Sequence, residues 1–314
     1  MKYSRLIALL LLAALFSGMP ALSWADTFAP AGVVAGHTMA RADCRWPDTS
    51  VWVVVDGRGE CIRYFHAGLK PRNAVVHVWL HGDRLSRRWD GDGRTLGQRV
   101  IGYGSPDADD LLARAARDYR DYGVPYIRLS RPGVYGSSGD HKERRRPREV
   151  ALVDAALDAL KEKYGIGRFA LSGQSGGGHL VAALLAFRDD VACAVVTSGV
   201  VAVRERIAAK GWTADSTGYA DFLDPMDLVA RIPRDPRRRV YIVGDPRDTN
   251  VPFEGQAAYH RALVAAGHDA SLVRARASGE ARHSLSPLGF RVVNGCLEGV
   301  PAPEIAARAT DWSR

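Results

Sequence analysis

Apolar residues fall along this chain in two alternating rhythms. Short runs rich in branched side chains, "AVVHVWLHG" (74–82), "VPYIRLS" (124–130), "GRFALSG" (167–173), "VACAVVTSG" (191–199), "RRVYIVGD" (238–245) and "ASLVRARA" (270–277), read as strands. Most are apolar throughout rather than alternating, as expected of strands covered on both faces. Between them, residues 107–122, 147–164, 176–187 and 253–267 repeat apolar positions at spacings of three and four, the period of a helix with one buried face. Pro147 stands where one helix should open and Gly267 where another should close. The alternation predicts an α/β chain with a mostly parallel central sheet and helices on both faces. Two stretches break the rhythm. "TSVWVVVDGRGECIRYF" (49–65) reads as an N-terminal β-hairpin turning at Asp56-Gly57. Residues from about 200 to 237 are too long for a simple crossover and predict a small helical cap over the sheet's edge.

The first 25 residues, "MKYSRLIALLLLAALFSGMPALSWA", follow a different logic. Lys2 and Arg5 precede an apolar stretch from Leu6 to Phe16, and Ser23-Trp24-Ala25 is a small-residue exit. That is the pattern of a secretory signal cleaved after Ala25, and the apolar core falls short of the ~20 residues a spanning helix needs. The expectation is a secreted or periplasmic protein of one domain, residues 26–314, with no integral membrane span after signal removal. Four cysteines fit an oxidising compartment. Cys44 and Cys61 flank the hairpin and form the preferred bridge. Cys193 and Cys296 are left to each other, unless Cys193, in an apolar strand, is a buried free thiol. No CxxC pair supports zinc or thiol redox chemistry.

The formal net charge is +8. Basic residues gather at Arg144-Arg145-Arg146, Arg148 and Arg237-Arg238-Arg239. With no nucleic-acid motif and no interleaved aromatics, they read as solvated loop charge, and no nucleic-acid partner is expected.

The chemistry concentrates at "GRFALSGQSGGGHL". Glycine inside an ordered element costs roughly 0.5–1 kcal/mol relative to alanine, so four around Ser175 need a steric reason. A sharp turn from strand to helix supplies one. It exposes Ser175 at the open end of the sheet and crowds Gly173 and Gly177, two positions either side. Gly178 would let the helix pack closely on the sheet. The N–H of Gly176, at the helix start, can stabilise a developing oxyanion. A serine nucleophile needs a base, and the base an orienting acid, on loops after later strands. Among His179, His260, His268 and His283, the last lies on the polar loop after the final core strand and is the base candidate. His179, one turn into the serine's own helix, reads as packing. The acid should follow the strand ending at Val243, where Asp245 and Asp248 both stand. Asp245 precedes Pro246, which holds it extended and close to the strand.

Taken together, Gly173-Gln174-Ser175-Gly176-Gly177, Gly244-x-x-x-Asp248-x-x-Val251-Pro252 and His283 resemble the α/β-hydrolase superfamily. More narrowly they are similar to its dienelactone hydrolase and prolyl oligopeptidase-like branches, over residues 74 to 295. The resemblance implies the α/β-hydrolase fold and makes Asp248 the triad acid with Ser175 and His283. It also implies a second oxyanion donor after "WLHGD", the backbone of Asp83 or of Gly82, with His81 structural. Ser137 and Ser138, in "RPGVYGSSGDH", lack the strand–turn–helix setting and read as turn residues. The expectation is an exported serine hydrolase acting on a small-molecule ester or short peptide through an acyl-enzyme, with no metal or organic cofactor. A carboxylic ester is preferred, because no propeller or peptide-gating module is attached. The alternatives are a peptidase of the prolyl oligopeptidase type and a catalytically silent binding protein of the same fold.

Overall fold

All six apolar runs become strands of one sheet. A computed structural model describes residues 28–89 and 95–312, so the expected signal, residues 1–25, lies outside the described part. The chain enters through a short helix α1 (Pro30–Ala35) and a hairpin, β1 (Ser50–Val55) and β2 (Arg58–Ala67). Asp56 and Gly57 between them have φ of 51° and 72°, the doubly left-handed turn whose twist matches paired strands. Then come β3 (Asn73–Leu80), a second hairpin of β4 (Leu85–Trp89) and β5 (Thr95–Val100), α2 (Ala108–Tyr122), β6 (Tyr126–Leu129), α3 (Pro147–Tyr164) and β7 (Ile166–Gln174). The remainder is α4 (Gly176–Leu184), β8 (Val191–Thr197), α5 (Val203–Ala209), α6 (Pro225–Leu228), β9 (Arg239–Gly244), α7 (Phe253–Ala265), β10 (Ala270–Arg274), α8 (Ser286–Leu297) and α9 (Ala302–Trp312).

The main sheet has the order β1-β2-β6-β3-β7-β8-β9-β10. β1, β2 and β6 pair antiparallel in turn, and every pairing from β6 to β10 is parallel. The chain runs outward from β3 to β6, then returns to the other side of β3 with β7. At such a reversal the loops leaving adjacent strands diverge and open a crevice at their carboxyl ends. Here those loops begin at His81 and Ser175.

Both faces of the sheet are covered. Leu157 and Leu160 of α3, Leu180 and Leu184 of α4 and Leu263 of α7 pack with Val78, Leu171 and Val196 in one core. On the other face, Val292 and Val293 of α8 and Ile305 of α9 pack with Val195, Tyr241 and Val273, while Leu111 of α2 and Phe290 of α8 join an aromatic group with Trp79 and Tyr126. Each such side chain is worth about 1.5–3 kcal/mol when fully buried. Capping follows the sequence. Asp107 and Asp110 form a reciprocal capping box on α2, Pro147 opens α3, and Gly165 ends α3 with left-handed φ.

Both disulfides are present, with Cα–Cα distances of 5.6 Å for Cys44–Cys61 and 6.3 Å for Cys193–Cys296. The first is the expected bridge by a different geometry: Cys61 pairs with Trp52 in mid-strand, and residues before β1 fold back to reach it. The second pins α8 to β8. In the arginine run 237–239, Arg237 is exposed as expected, while Arg238 and Arg239 depart from the solvated reading. Arg238 is buried, its guanidinium donating to the carbonyls of Arg188 and Pro233 at 2.7 and 3.1 Å, while Arg239 donates to that of Val300 at 2.6 Å. Carbonyls left over between elements absorb these charges.

Candidate active site

Ser175 separates β7 from α4 with φ 57° and ψ −115°, a left-handed conformation that costs a non-glycine residue about 1–3 kcal/mol. Its surroundings leave no room for side chains. A Cβ on Gly173 would lie 2.2 Å from the Gly177 carbonyl oxygen, and one on Gly177 would lie 2.0 Å from that of Leu80. A Cβ on Gly178 would meet Gly199 Cα at 2.8 Å, so this glycine seats α4 against the loop leaving β8. Backbone bonds hold the turn: Ser175 N–H donates to the Thr197 carbonyl at 2.9 Å, and the Ser175 carbonyl accepts from His179 and Val200. The first N–H groups of α4, including that of Gly176, have no partner within the helix and face the end where Ser175 stands.

Asp248 and His283 are brought together from loops after β9 and β10. His283 Nδ1 lies 2.7 Å from Asp248 Oδ2, and Asp248 Oδ1 accepts from the N–H groups of Asn250 and Val251 at 2.8 and 2.9 Å. A carboxylate can only accept, so Nδ1 carries the proton and the neutral ring keeps its lone pair at Nε2. That buried Nε2 has no hydrogen-bond partner among the described residues. Asp245 is engaged elsewhere, accepting from Arg247 and Ala277 N–H at 2.8 and 2.9 Å.

The residue before the serine ties the His283 loop to the serine turn, a part the sequence reading did not assign. Gln174 Nε2 donates to the His283 carbonyl at 2.7 Å, and its Oε1 accepts from Leu285 N–H at 3.0 Å and Thr197 Oγ1 at 3.1 Å. An amide side chain matches a peptide in having one donor and one acceptor, so it substitutes for a strand neighbour to the His283 loop. Arg206 of α5 braces the Asp248 loop from the other side, donating to Asn250 Oδ1 at 2.9 Å. Burial pushes its pKa down to about 10.

The turn after β3 approaches Ser175 closely. A Cβ on Gly82 would lie 3.4 Å from Ser175 Cβ, and one on Gly176 would lie 1.9 Å from Asp83 Oδ1. His81 is fully buried, with Nδ1 donating to the Gly82 carbonyl at 2.8 Å and Nε2 accepting from Arg131 N–H at 3.2 Å. Burial and the nearby Arg84 and Arg131 keep it neutral, well below the usual histidine range. The Asp83 carboxylate receives Arg131 at 2.9 Å, Arg144 at 3.1 Å and Arg145. Burial alone would raise its pKa, but those three guanidiniums hold it well below the ordinary carboxylate range. Arg144 and Arg145, read from sequence as solvated, are therefore buried, because their partners come from loops far away in the chain.

The other candidates lie outside this cluster. His179 Nε2 bonds the Leu223 carbonyl at 2.7 Å, and His260 the Ala270 carbonyl at 3.2 Å. Ser138 and Ser137 accept from the N–H groups of Cys61 and Arg63 at 2.8 and 2.9 Å, continuing the edge of β2 beyond β6. A cavity of about 640 Å³ lies under the N-terminal segment between Trp46 and Tyr135, away from Ser175. One of about 260 Å³ shares Gly199 and Val251 with the loops beside the site.

No protein-family model matches the sequence, and no curated protein is similar to it by sequence. Solved structures are similar in fold. An esterase of Pyrococcus furiosus superposes with a TM-score of 0.56 at 14% identity, over 84% of this chain and 96% of that one. Est1E from Butyrivibrio proteoclasticus, also solved with ferulic acid bound, gives 0.53 at 14% identity, over 81% and 99%. An acylaminoacyl peptidase of Pyrococcus horikoshii gives 0.50 at 13% identity, over 72% of this chain but 36% of the peptidase.

Proposed function

We propose that this chain, an α/β-hydrolase by fold, is an exported serine hydrolase that cleaves a carboxylic ester through an acyl-enzyme on Ser175. The observation that carries the reading is the Asp248–His283 pair at 2.7 Å, with Nε2 left unpartnered on the loop that Gln174 ties to the serine turn. As Ser175 Oγ attacks the substrate carbonyl carbon, its proton passes to His283 Nε2 and the carbonyl oxygen becomes an oxyanion. His283 then protonates the leaving alcohol, and a water deprotonated by the same nitrogen releases the acid. Asp248 holds the tautomer this cycle needs. The N–H groups of Gly176 and Asp83 serve as the oxyanion donors, a contribution of about 2.7–4 kcal/mol per donor in enzymes of this type.

An ester is favoured over a peptide by coverage. The esterase neighbour matches this chain over nearly its whole length, whereas the peptidase shares only a third of its own. Two disulfides and the leader pattern favour an exported protein, and among the described residues no helix is long and apolar enough to cross a membrane. The test is fluorophosphonate labelling of the wild type and Ser175→Ala, with turnover on p-nitrophenyl esters and aminoacyl anilides. The reading expects Ser175-dependent labelling and ester turnover in excess of anilide turnover. Labelling that survives Ser175→Ala refutes the nucleophile; preferred anilide turnover makes the protein a peptidase; and an inert wild type makes it a binding protein.

A further inference from the structure

Arg145 is fully buried, and a buried guanidinium is costly unless its donors are paired with charge. Its donors divide between two loops distant in sequence. Nη1 donates to Asp83 Oδ2 in the turn after β3. Nε and Nη2 fork onto Asp215, between α5 and α6, at 3.2 and 2.9 Å, and Nη2 also reaches Ser216 Oγ at 2.6 Å. The Arg145 carbonyl accepts from Leu223 N–H at 2.7 Å, a second tie to the same segment. Arg131 and Arg144 approach Asp83 from other directions, at 2.9 and 3.1 Å, and Glu149 in turn holds Arg131 at 2.7 Å. Three guanidiniums and three carboxylates thus balance in one cluster, in which Asp83 Oδ1 lies over Gly176.

We infer that Arg145 is a positioning residue for the reaction. By clamping Asp83 it sets where the N–H of that turn stands relative to Ser175, and by clamping Asp215 it makes that placement depend on the segment between α5 and α6. The inference rests on the serine-hydrolase reading and deepens it. The geometry requires a planar fork, since a lysine ammonium cannot span both carboxylates in this way. Displacing a reacting or stabilising group by about 1 Å can cost ~10²-fold in rate.

The test compares Arg145→Lys and Asp215→Asn with the wild-type chain on p-nitrophenyl acetate, with a trifluoromethyl ketone as an oxyanion-forming inhibitor. Arg145→Lys is expected to lower kcat by ~10²-fold with KM within about threefold, and to raise the inhibitor Ki by the factor that kcat falls. The pH midpoint of kcat/KM should stay fixed, because the Asp248–His283 pair is untouched. Asp215→Asn should move the same quantities in the same directions by ~10-fold, and carries the test if the lysine variant does not fold by near-UV circular dichroism. A folded variant with wild-type kcat and Ki overturns the inference, as does a loss confined to KM or one with a displaced pH midpoint. A wild type that neither turns over esters nor labels at Ser175 refutes the serine-hydrolase reading itself, and the inference with it.

Discussion

Replacing Asp248 by asparagine changes one atom, and the structure dictates which way round that atom goes. Oδ1 of Asp248 accepts two backbone N–H groups, from Asn250 and Val251, at 2.8 and 2.9 Å. An asparagine must keep its carbonyl there, which turns its NH₂ toward His283 Nδ1. Nδ1 then becomes an acceptor, the ring proton moves to Nε2, and the nitrogen that should take the serine proton is already occupied. The opposite amide orientation restores the tautomer but leaves two buried N–H donors facing an NH₂ group, at about 1 kcal/mol or more for each lost bond. A penalty of about 2–3 kcal/mol leaves the competent orientation in roughly one molecule in 30 to 150. Loss of the charge that steadies the imidazolium adds to this, toward the ~10⁴ seen when such an acid is neutralised in a protease. The expected fall in kcat is therefore about 10²–10⁴, or roughly 2.7–5.5 kcal/mol in the barrier, with KM nearly unchanged. Asp245→Asn is the control. It faces two N–H groups through its two oxygens, so an amide there loses a bond and about 1–3 kcal/mol of stability without touching His283. Steady-state kinetics on one activated ester and melting curves for both variants decide the matter. A folded Asp248→Asn enzyme with wild-type kcat, or a folded but dead Asp245→Asn enzyme, refutes the assignment.

Gly177→Ala should abolish soluble folded protein or activity rather than attenuate it, because the new methyl would sit 2.0 Å from a backbone oxygen of β3 that cannot move aside; near-wild-type expression and turnover would contradict this packing. Stability should also fall in mild acid. His77 is fully buried beside Ser172, and burial pushes its pKa down to about 3, so the unfolded chain takes up a proton from about pH 6.5 while the folded chain does not. Its contribution is complete above pH 6.5 and declines by about 1.4 kcal/mol per unit below it, some 2 kcal/mol by pH 5. Chemical denaturation at pH 7 and pH 5 should give a smaller difference for His77→Gln than for the wild type; equal differences would remove His77 as a cause.

What the sequence made legible was whatever depends on short-range pattern. Strands covered on both faces cannot avoid continuous apolar runs, so β3, β7, β8 and β9 stand out, and the glycines around Ser175 report crowding within a few residues. The hairpin β4–β5 was missed because "LSRRW" and "TLGQRV" carry little apolar pattern and depend on each other for pairing. α8, "SPLGFRVVNGCL", holds two glycines, a proline and two valines, poor helix formers that packing on β7 and β8 overrides. The burial of Arg144 and Arg145 was invisible for a different reason. Their carboxylate partners, Asp83 and Asp215, lie 61 to 70 positions away, and a run of arginines looks the same whether water or carboxylates surround it. Gln174 passed unnoticed because its partners, like those arginines', exist only after folding.

The bridge between Cys193 and Cys296 closes a ring spanning 103 positions of sequence. Asp248 and His283 lie inside that ring, and Ser175 lies outside it. A single proteolytic cut anywhere within the ring, including the irregular stretch between α5 and α6, therefore opens the ring without dividing the molecule. The two pieces stay one covalent body, with Ser175, Asp248 and His283 still joined through the bridge. A nicked chain of this kind keeps every part of the candidate site on one molecule.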